Sequence, residues 1–243
     1  MELLVTTDLH KGSRHHMTEQ AKKHRDWVAD GPDRYTIDLG DATENGTRTS
    51  VGDAVYEQTM SPEEQLEAVV EYYRPLKGKV LGVCRGNHGK RTQNASGIDP
   101  DKWLAREMGC PYIMNEKVLA LTVGDSRWGH QYLVFARHKI CNASTPQGVI
   151  AAMTKNLGRI PGCDVYLFGH THSYVYHSQA AMVPDPRHDR CRKIEQHMVT
   201  SGSFLEYEDS YAEECPFGIP TDGMALVRLW KTERKVEVER LWL

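Results

Sequence analysis

The chain has 243 residues, 40% hydrophobic and 26% charged, enough to bury a full core, and a single domain over 1–243 is expected. A formal charge of −3 offers no global attraction to nucleic acid, and no window supplies the roughly 18 uninterrupted apolar residues of a membrane span. The six cysteines lie scattered with no Cys-x-x-Cys pair, which argues against a disulfide frame or zinc ribbon, and Met1-Glu2-Leu3-Leu4 does not open a signal peptide, so reduced thiols and a cytoplasmic location are expected.

Glu2-Leu3-Leu4-Val5-Thr6 reads as a buried strand that delivers Asp8 and His10. A helix follows from Thr18, read as its cap, to the Asp30-Gly31-Pro32 stop, and Arg34–Leu39 is a second strand ending in Gly40-Asp41. The polar stretch from Ala42 to Thr59 is read as a loop over the site. Ser61-Pro62-Glu63-Glu64 carries a capping box, and Leu66, Val69, Val70 and Tyr73 follow at the spacing of one buried helical face. Lys79–Val83 is a third strand, ending in Cys84-Arg85-Gly86-Asn87-His88-Gly89. Asp99-Pro100 starts a short helix closed by Gly109.

Beyond this point hairpins dominate. Lys117–Val123 and Gln131–Ala136 read as paired strands, the second running into Arg137-His138-Lys139. A helix from Thr145-Pro146 leads to the apolar strand Val165-Tyr166-Leu167-Phe168 and then Gly169-His170-Thr171-His172. On extended backbone the period of two would place both imidazoles on one side. Tyr174–Gln179, Lys193–Thr200, Gly223–Trp230 and Lys235–Leu241 are further strands, and Pro184–Arg192 is read as a connection with no role. His15, His16, His24, His177, His188 and His197 are read as surface histidines.

Strand after strand thus ends in polar ligands: Asp8 and His10, Asp41, Asn87 and His88, His138, His170 and His172. Groups at the carboxyl ends of strands converge on one crevice in open α/β sheets, and this carboxylate, imidazole and amide set suits divalent first-row transition metals. His138 is preferred to His130 because it closes an apolar strand.

In that order, Asp-x-His, Gly-Asp, Gly-Asn-His, a lone His and Gly-His-x-His resemble the calcineurin-like metallophosphoesterases, over Asp8 to His172. The resemblance implies an α+β fold, a four-layer α/β/β/α sandwich with two sheets flanked by helices. It also implies a site for two divalent ions, manganese first, with iron, nickel, cobalt or zinc as alternatives. Asp8, His10 and His172 would hold one ion and Asn87, His138 and His170 the other, with Asp41 bridging. His88 would be the catalytic acid that protonates the leaving oxygen. Two ions about 3.5–4 Å apart can activate a shared water and clamp the phosphate oxygens.

Two positions depart from the family pattern: Gly89 stands where Asp or Glu usually follows Gly-Asn-His, and Lys139 where Gly often follows the lone histidine. Glu44, Asp53 or Lys90-Arg91 could substitute at His88 in orientation or phosphate contact, although each reads as a solvated loop charge. Ala42-Thr43-Glu44-Asn45-Gly46 after Gly40-Asp41 departs from the protein-phosphatase branch. The layout resembles bacterial and phage-encoded members, which implies a phosphoester substrate, first a phosphodiester in a nucleotide or in DNA; with no apolar span in the sequence, no membrane partner is expected. A phosphomonoesterase comes second, and a non-catalytic metal-binding scaffold of the same fold is the alternative from another class.

Overall fold

Alternation along the first strand, β1 (Glu2–Thr6), sorts the core: Leu3 and Val5 pack into one apolar cluster and Leu4 into another. The computed structural model describes residues 1–47, 56, 58–125, 129–143, 145–185, 188–208 and 221–242. In it β1 runs parallel to β2 (Arg34–Asp38), β2 to β3 (Val80–Cys84), and β3 to the short β4 (Tyr112–Ile113). On the other side of β1 this six-stranded sheet is completed antiparallel by β10 (Met224–Leu229) and β11 (Val236–Leu241).

The second sheet has five strands in the order β5 (Glu116–Val123), β6 (His130–Arg137), β7 (Val165–Phe168), β9 (Arg190–Thr200), β8 (Val175–Asp185). Its three inner strands are parallel, and both edges are antiparallel.

Leu3, Val5 and Ile37 meet Val134, Val165, Leu167 and Val199, so one apolar cluster lies between the sheets. On the outer face of the first sheet, Leu4 and Val83 pack against α1 (Thr18–Asp30), α2 (Pro62–Tyr73) and α4 (Pro100–Met108) through Val28, Val69, Tyr73 and Leu104. On the outer face of the second, Tyr166 and Phe168 pack against Val149 and Met153 of α5 (Pro146–Leu157). The layers are therefore α/β/β/α, and the uninterrupted apolar run of β7 is that of a strand covered on both faces. Among the described residues no helix is long and apolar enough to cross a membrane.

The helix starts follow local chemistry. Ser61 and Glu64 form the reciprocal capping box of α2, Asp99 accepts the Lys102 amide at 3.0 Å, and Thr145 accepts that of Gly148 at 3.2 Å.

Several expectations are corrected. Thr18 is the first residue of α1 rather than its cap, which is Met17. The buried face of α2 is Gln65, Val69, Tyr72 and Tyr73, with Leu66 and Val70 at its margin, because the Gln65 amide is held inside by Asn45 N at 2.7 Å and Gln58 Oε1 at 2.8 Å. A helix, α3 (Asn87–Ser96), stands where no helix was anticipated. Strands β8 and β9 extend across most of Pro184–Arg192; Pro184 is tolerated because β8 is an edge. Asp53 lies outside the described residues.

His24 and His197 are buried rather than exposed. The His24 ring sits 3.3 Å from the Tyr72 hydroxyl and 3.5 Å from Thr6 Oγ1, and burial pushes its pKa down to about 4 from the ordinary 6.5. The unfolded chain therefore takes up this proton at a higher pH than the folded one. Stability due to neutral His24 is complete above pH 6.5 and is lost as pH falls toward about 4. Thermal melts across that window are expected to show a steeper fall in Tm for the native protein than for His24→Gln; equal slopes would remove His24 as the cause.

Candidate metal centre

The parallel strands β1, β2 and β3 of one sheet and β6 and β7 of the other all release their chains at the same seam. The loops that leave them are stitched together by main-chain hydrogen bonds. Asp8 N donates to Gly40 O at 2.9 Å, His10 N to Asp41 O at 3.0 Å, Lys11 N to Ala42 O at 2.9 Å and Glu44 N to Lys11 O at 2.9 Å. At the rim of the second sheet Gly169 N donates to His138 O at 2.8 Å, and between the sheets the His138 ring Nδ1–H donates to Leu39 O at 2.8 Å.

Two glycines let these loops approach. A Cβ on Gly86 would lie 2.0 Å from Asp41 Oδ1, and one on Gly169 would lie 2.2 Å from Thr7 Oγ1.

The backbone carries strain here. Asp8, His10, Asp41, His170 and His172 have φ of 49°, 47°, 56°, 71° and 53°, five of the seven non-glycine residues with positive φ among those described. Such conformations cost about 1–3 kcal/mol each and persist only where surrounding bonds dictate them. They also correct the expectation for Gly169-His170-Thr171-His172. The two histidines do not sit on extended backbone, and their rings go to different groups.

One group comprises Asp8, His10 and His172, each offering an atom within 4.8 Å of the others. Asp8 Oδ2 is fully engaged, accepting Thr7 Oγ1–H at 2.5 Å and the His170 amide at 2.9 Å. Its Oδ1 is buried and has no hydrogen-bond partner, although His172 Nε2 is 3.3 Å away and His10 Nε2 3.9 Å. Those two ring nitrogens are themselves 3.3 Å apart. The other ring nitrogen of His10, Nδ1, donates to Glu44 Oε2 at 2.7 Å.

The second group comprises Asp41, His138 and His170, again within 4.8 Å. Asp41 Oδ1 accepts the His88 amide at 2.8 Å, and Oδ2 lies 3.1 Å from His138 Nε2. Asn87 Oδ1 is 2.9 Å from the same nitrogen, so two oxygens and an imidazole nitrogen face one point. His170 Nε2 is 3.2 Å from Asn142 Oδ1.

His88 is buried between the groups, its Nε2 4.0 Å from Asp41 Oδ2. Its Nδ1–H donates to the Glu44 main-chain carbonyl. With that proton in place, Arg91, whose Nη2 is 2.7 Å from Nδ1, acts as a neighbouring positive charge rather than as a donor to it.

Electrostatics follow from this packing. Burial alone would raise the carboxyls, but His172 and His138 hold Asp8 below its ordinary range, His138 and His88 hold Asp41 far below, and His10 holds Glu44 at about 2. Conversely, burial would lower His138, but Asp41 raises it to about 9, while burial and the neighbouring His138 push His170 down to about 3. The pocket thus holds three ionised, buried carboxylates, which require nearby cationic charge, from protons on imidazoles or from metal ions. Ring nitrogens, carboxylate oxygens and an amide oxygen, without thiolate, fit a first-row divalent ion, and the bare Asp8 Oδ1 is the atom such an ion would satisfy.

All eight residues singled out in the sequence are thus brought to one seam. Glu44, read as a solvated loop charge, is instead buried against the His10 ring, the carboxylate–histidine pairing typical of metal sites. Its separation of three residues from Asp41 was the available signal. Thr7 and Asn142 were not anticipated. His130 begins β6, opposite Val123.

No protein-family model matches this chain, and no curated protein does. Among solved structures, it is similar to Vps29 of Chaetomium thermophilum at 13% identity and a TM-score of 0.48, with 99% of this chain and 97% of that one covered. Wild-type Vps29 of Entamoeba histolytica, complexed with zinc, gives 14% and 0.46 over 99% and 98%. The nuclease MPE of Pseudomonas putida gives 15% and 0.40 over 98% and 87%. These likenesses are distant, and the functional reading rests on the residues themselves.

Gly86→Ala is expected to push the Asp41 carboxylate aside, destabilising the protein by about 1–3 kcal/mol. It should also speed hydrogen exchange at the His88 amide, which Asp41 Oδ1 accepts. Native-like exchange at that amide would show that the glycine is not needed for the approach.

Proposed function

We propose that this protein is a metal-dependent phosphoester hydrolase with a dinuclear centre, acting on a phosphodiester in a nucleotide or at a nucleic-acid end. The observation that carries the reading is the buried, unpartnered Asp8 Oδ1 facing the Nε2 atoms of His10 and His172. It is supported by the ordered motifs from Asp8 to His172 that resemble the calcineurin-like metallophosphoesterases.

In this reading Asp8, His10 and His172 hold one divalent ion and Asn87, His138 and His170 the other, with Asp41 shared; manganese is the first choice. Bound there, such ions would supply the positive charge that acidifies water and neutralises phosphate oxygens. The chain's own residues set the rest. Glu44 fixes the His10 ring so that Nε2 faces the pocket, and the main-chain carbonyl of Leu39 does the same for His138. His88, held through Nδ1 by the Glu44 carbonyl, directs Nε2 toward the pocket and passes its proton to the leaving oxygen. Burial lowers the pKa of His88, as do His10 and Arg91, against the opposing pull of Asp41 and Glu44, so its imidazolium, once formed, releases its proton more readily than that of a free histidine.

The basic residues near the seam favour a short substrate. Arg137 is bound to Glu116 at 3.0 Å, Arg85 to Gln93 at 2.9 Å and Arg91 lies 2.7 Å from the His88 ring, while Lys90 and Lys139 remain exposed. That is a small electrostatic footprint for a long duplex, whose binding draws on many phosphate contacts.

The decisive assay uses chelator-stripped protein on an aryl phosphodiester and the matching monoester, with Mn²⁺ added back. Diester cleavage restored by Mn²⁺ and abolished in Asp41→Asn is the expected result. Preference for the monoester would make the protein a phosphomonoesterase, and Mn²⁺ binding without cleavage of either ester would make it a binding scaffold.

His88→Ala is expected to keep Mn²⁺ affinity, measured calorimetrically, while turnover falls about 10²–10⁴-fold. Loss of metal together with turnover would reassign His88 as a ligand.

A further inference from the structure

Position 89, where the resembled family usually carries an acidic residue, is glycine here, and an acidic side chain from another helix packs against it. Gly89 lies in the first turn of α3, a costly place for glycine, and a Cβ added there would fall 1.9 Å from Asp101 Oδ2 and 2.9 Å from its Cγ. Asp101, at the start of α4, is only 2% exposed, and its Oδ2 accepts the Gly86 amide at 2.9 Å. Gly86 caps α3 without any side-chain cap bond of its own. The carboxylate that anchors this helix start therefore comes from a neighbouring helix.

We propose that Asp101 is the acidic positioning residue of the Gly86–Gly89 turn, and that Gly89 is glycine because the Asp101 carboxylate occupies the space a side chain there would need. This inference rests on the metal-centre reading and deepens it. The turn is fixed at two points: Asp101 holds the Gly86 amide, and Asp41 holds the His88 amide at 2.8 Å. Between them Asn87 is set with its amide oxygen 2.9 Å from His138 Nε2. Asp101 touches neither the His88 ring nor any metal-facing atom in the contacts described, so it acts through the backbone. The ring itself is oriented by Glu44.

Relocating the carboxylate provides the test. Three variants, Gly89→Asp, Asp101→Asn and the double variant Gly89→Asp/Asp101→Gly, are titrated with Mn²⁺ by calorimetry after chelator treatment and assayed for diester turnover. Gly89→Asp alone, which forces a second carboxyl group into the space that Asp101 fills, should weaken Mn²⁺ binding by about tenfold or more. The double variant should regain most of that loss, and Asp101→Asn, which keeps the acceptor and the shape, should bind close to the native protein. Gly89→Asp binding like the native protein, or a double variant that neither folds nor binds better than Gly89→Asp, would overturn the proposal while leaving the metal centre standing. A native protein that binds no Mn²⁺ would overturn both.

Discussion

Two buried carboxylates, Asp8 and Asp41, divide their oxygens in the same way, and the rest of the centre depends on that division. Each gives one oxygen to the amide of another motif, His170 for Asp8 and His88 for Asp41. Each keeps the other oxygen toward imidazole nitrogens. A carboxylate free to rotate would satisfy itself locally; these are held so that one lone-pair direction stays directed into the pocket. The anionic charge this leaves in a buried place is tolerable only beside cationic partners, and the chain brings five histidine rings to the same seam.

That arrangement explains why the ligands lie beyond the strand ends rather than within the strands. Strand backbone points side chains alternately to the two faces, into one apolar layer or another, whereas the left-handed residues just beyond the strand ends turn polar side chains along the seam. The strain is held by main-chain bonds between the first two ligand loops and by the His138–Leu39 contact between sheets. The rigid sandwich and the strained rim are complementary: the former over-determines the latter.

Much of this was legible because it is periodic or local. Val165-Tyr166-Leu167-Phe168 and Leu3-Leu4-Val5 read correctly as buried strands, and the caps at Ser61, Asp99 and Thr145 are written in adjacent residues. Convergence of the eight candidate residues could be anticipated from repeated polar strand ends. What escaped was through-space. Helix α3 begins Gly86-Asn87-His88-Gly89, weak helix formers by local preference, and forms because outside carboxylates hold its amides. Gln65 rotates the buried face of α2 by serving a loop rather than the core. His24 is buried for its bond with Tyr72, and no hydropathy pattern marks a histidine for that. Glu44 sits beside His10 through a contact 34 residues away in the chain.

The positive φ angles of the ligands also set limits on how this sequence can drift. Aspartate, asparagine and histidine tolerate the left-handed region better than β-branched or bulky residues, so at Asp8 or Asp41 most replacements are penalised in the backbone before any charge is considered. Asparagine is the exception, since it keeps the shape and the backbone preference while surrendering the negative charge. A lineage carrying this fold is thus separated from a relative with the same strained rim but one anionic oxygen fewer by the exchange of a carboxylate oxygen for an amide nitrogen, and selection against that step acts through charge rather than through backbone conformation.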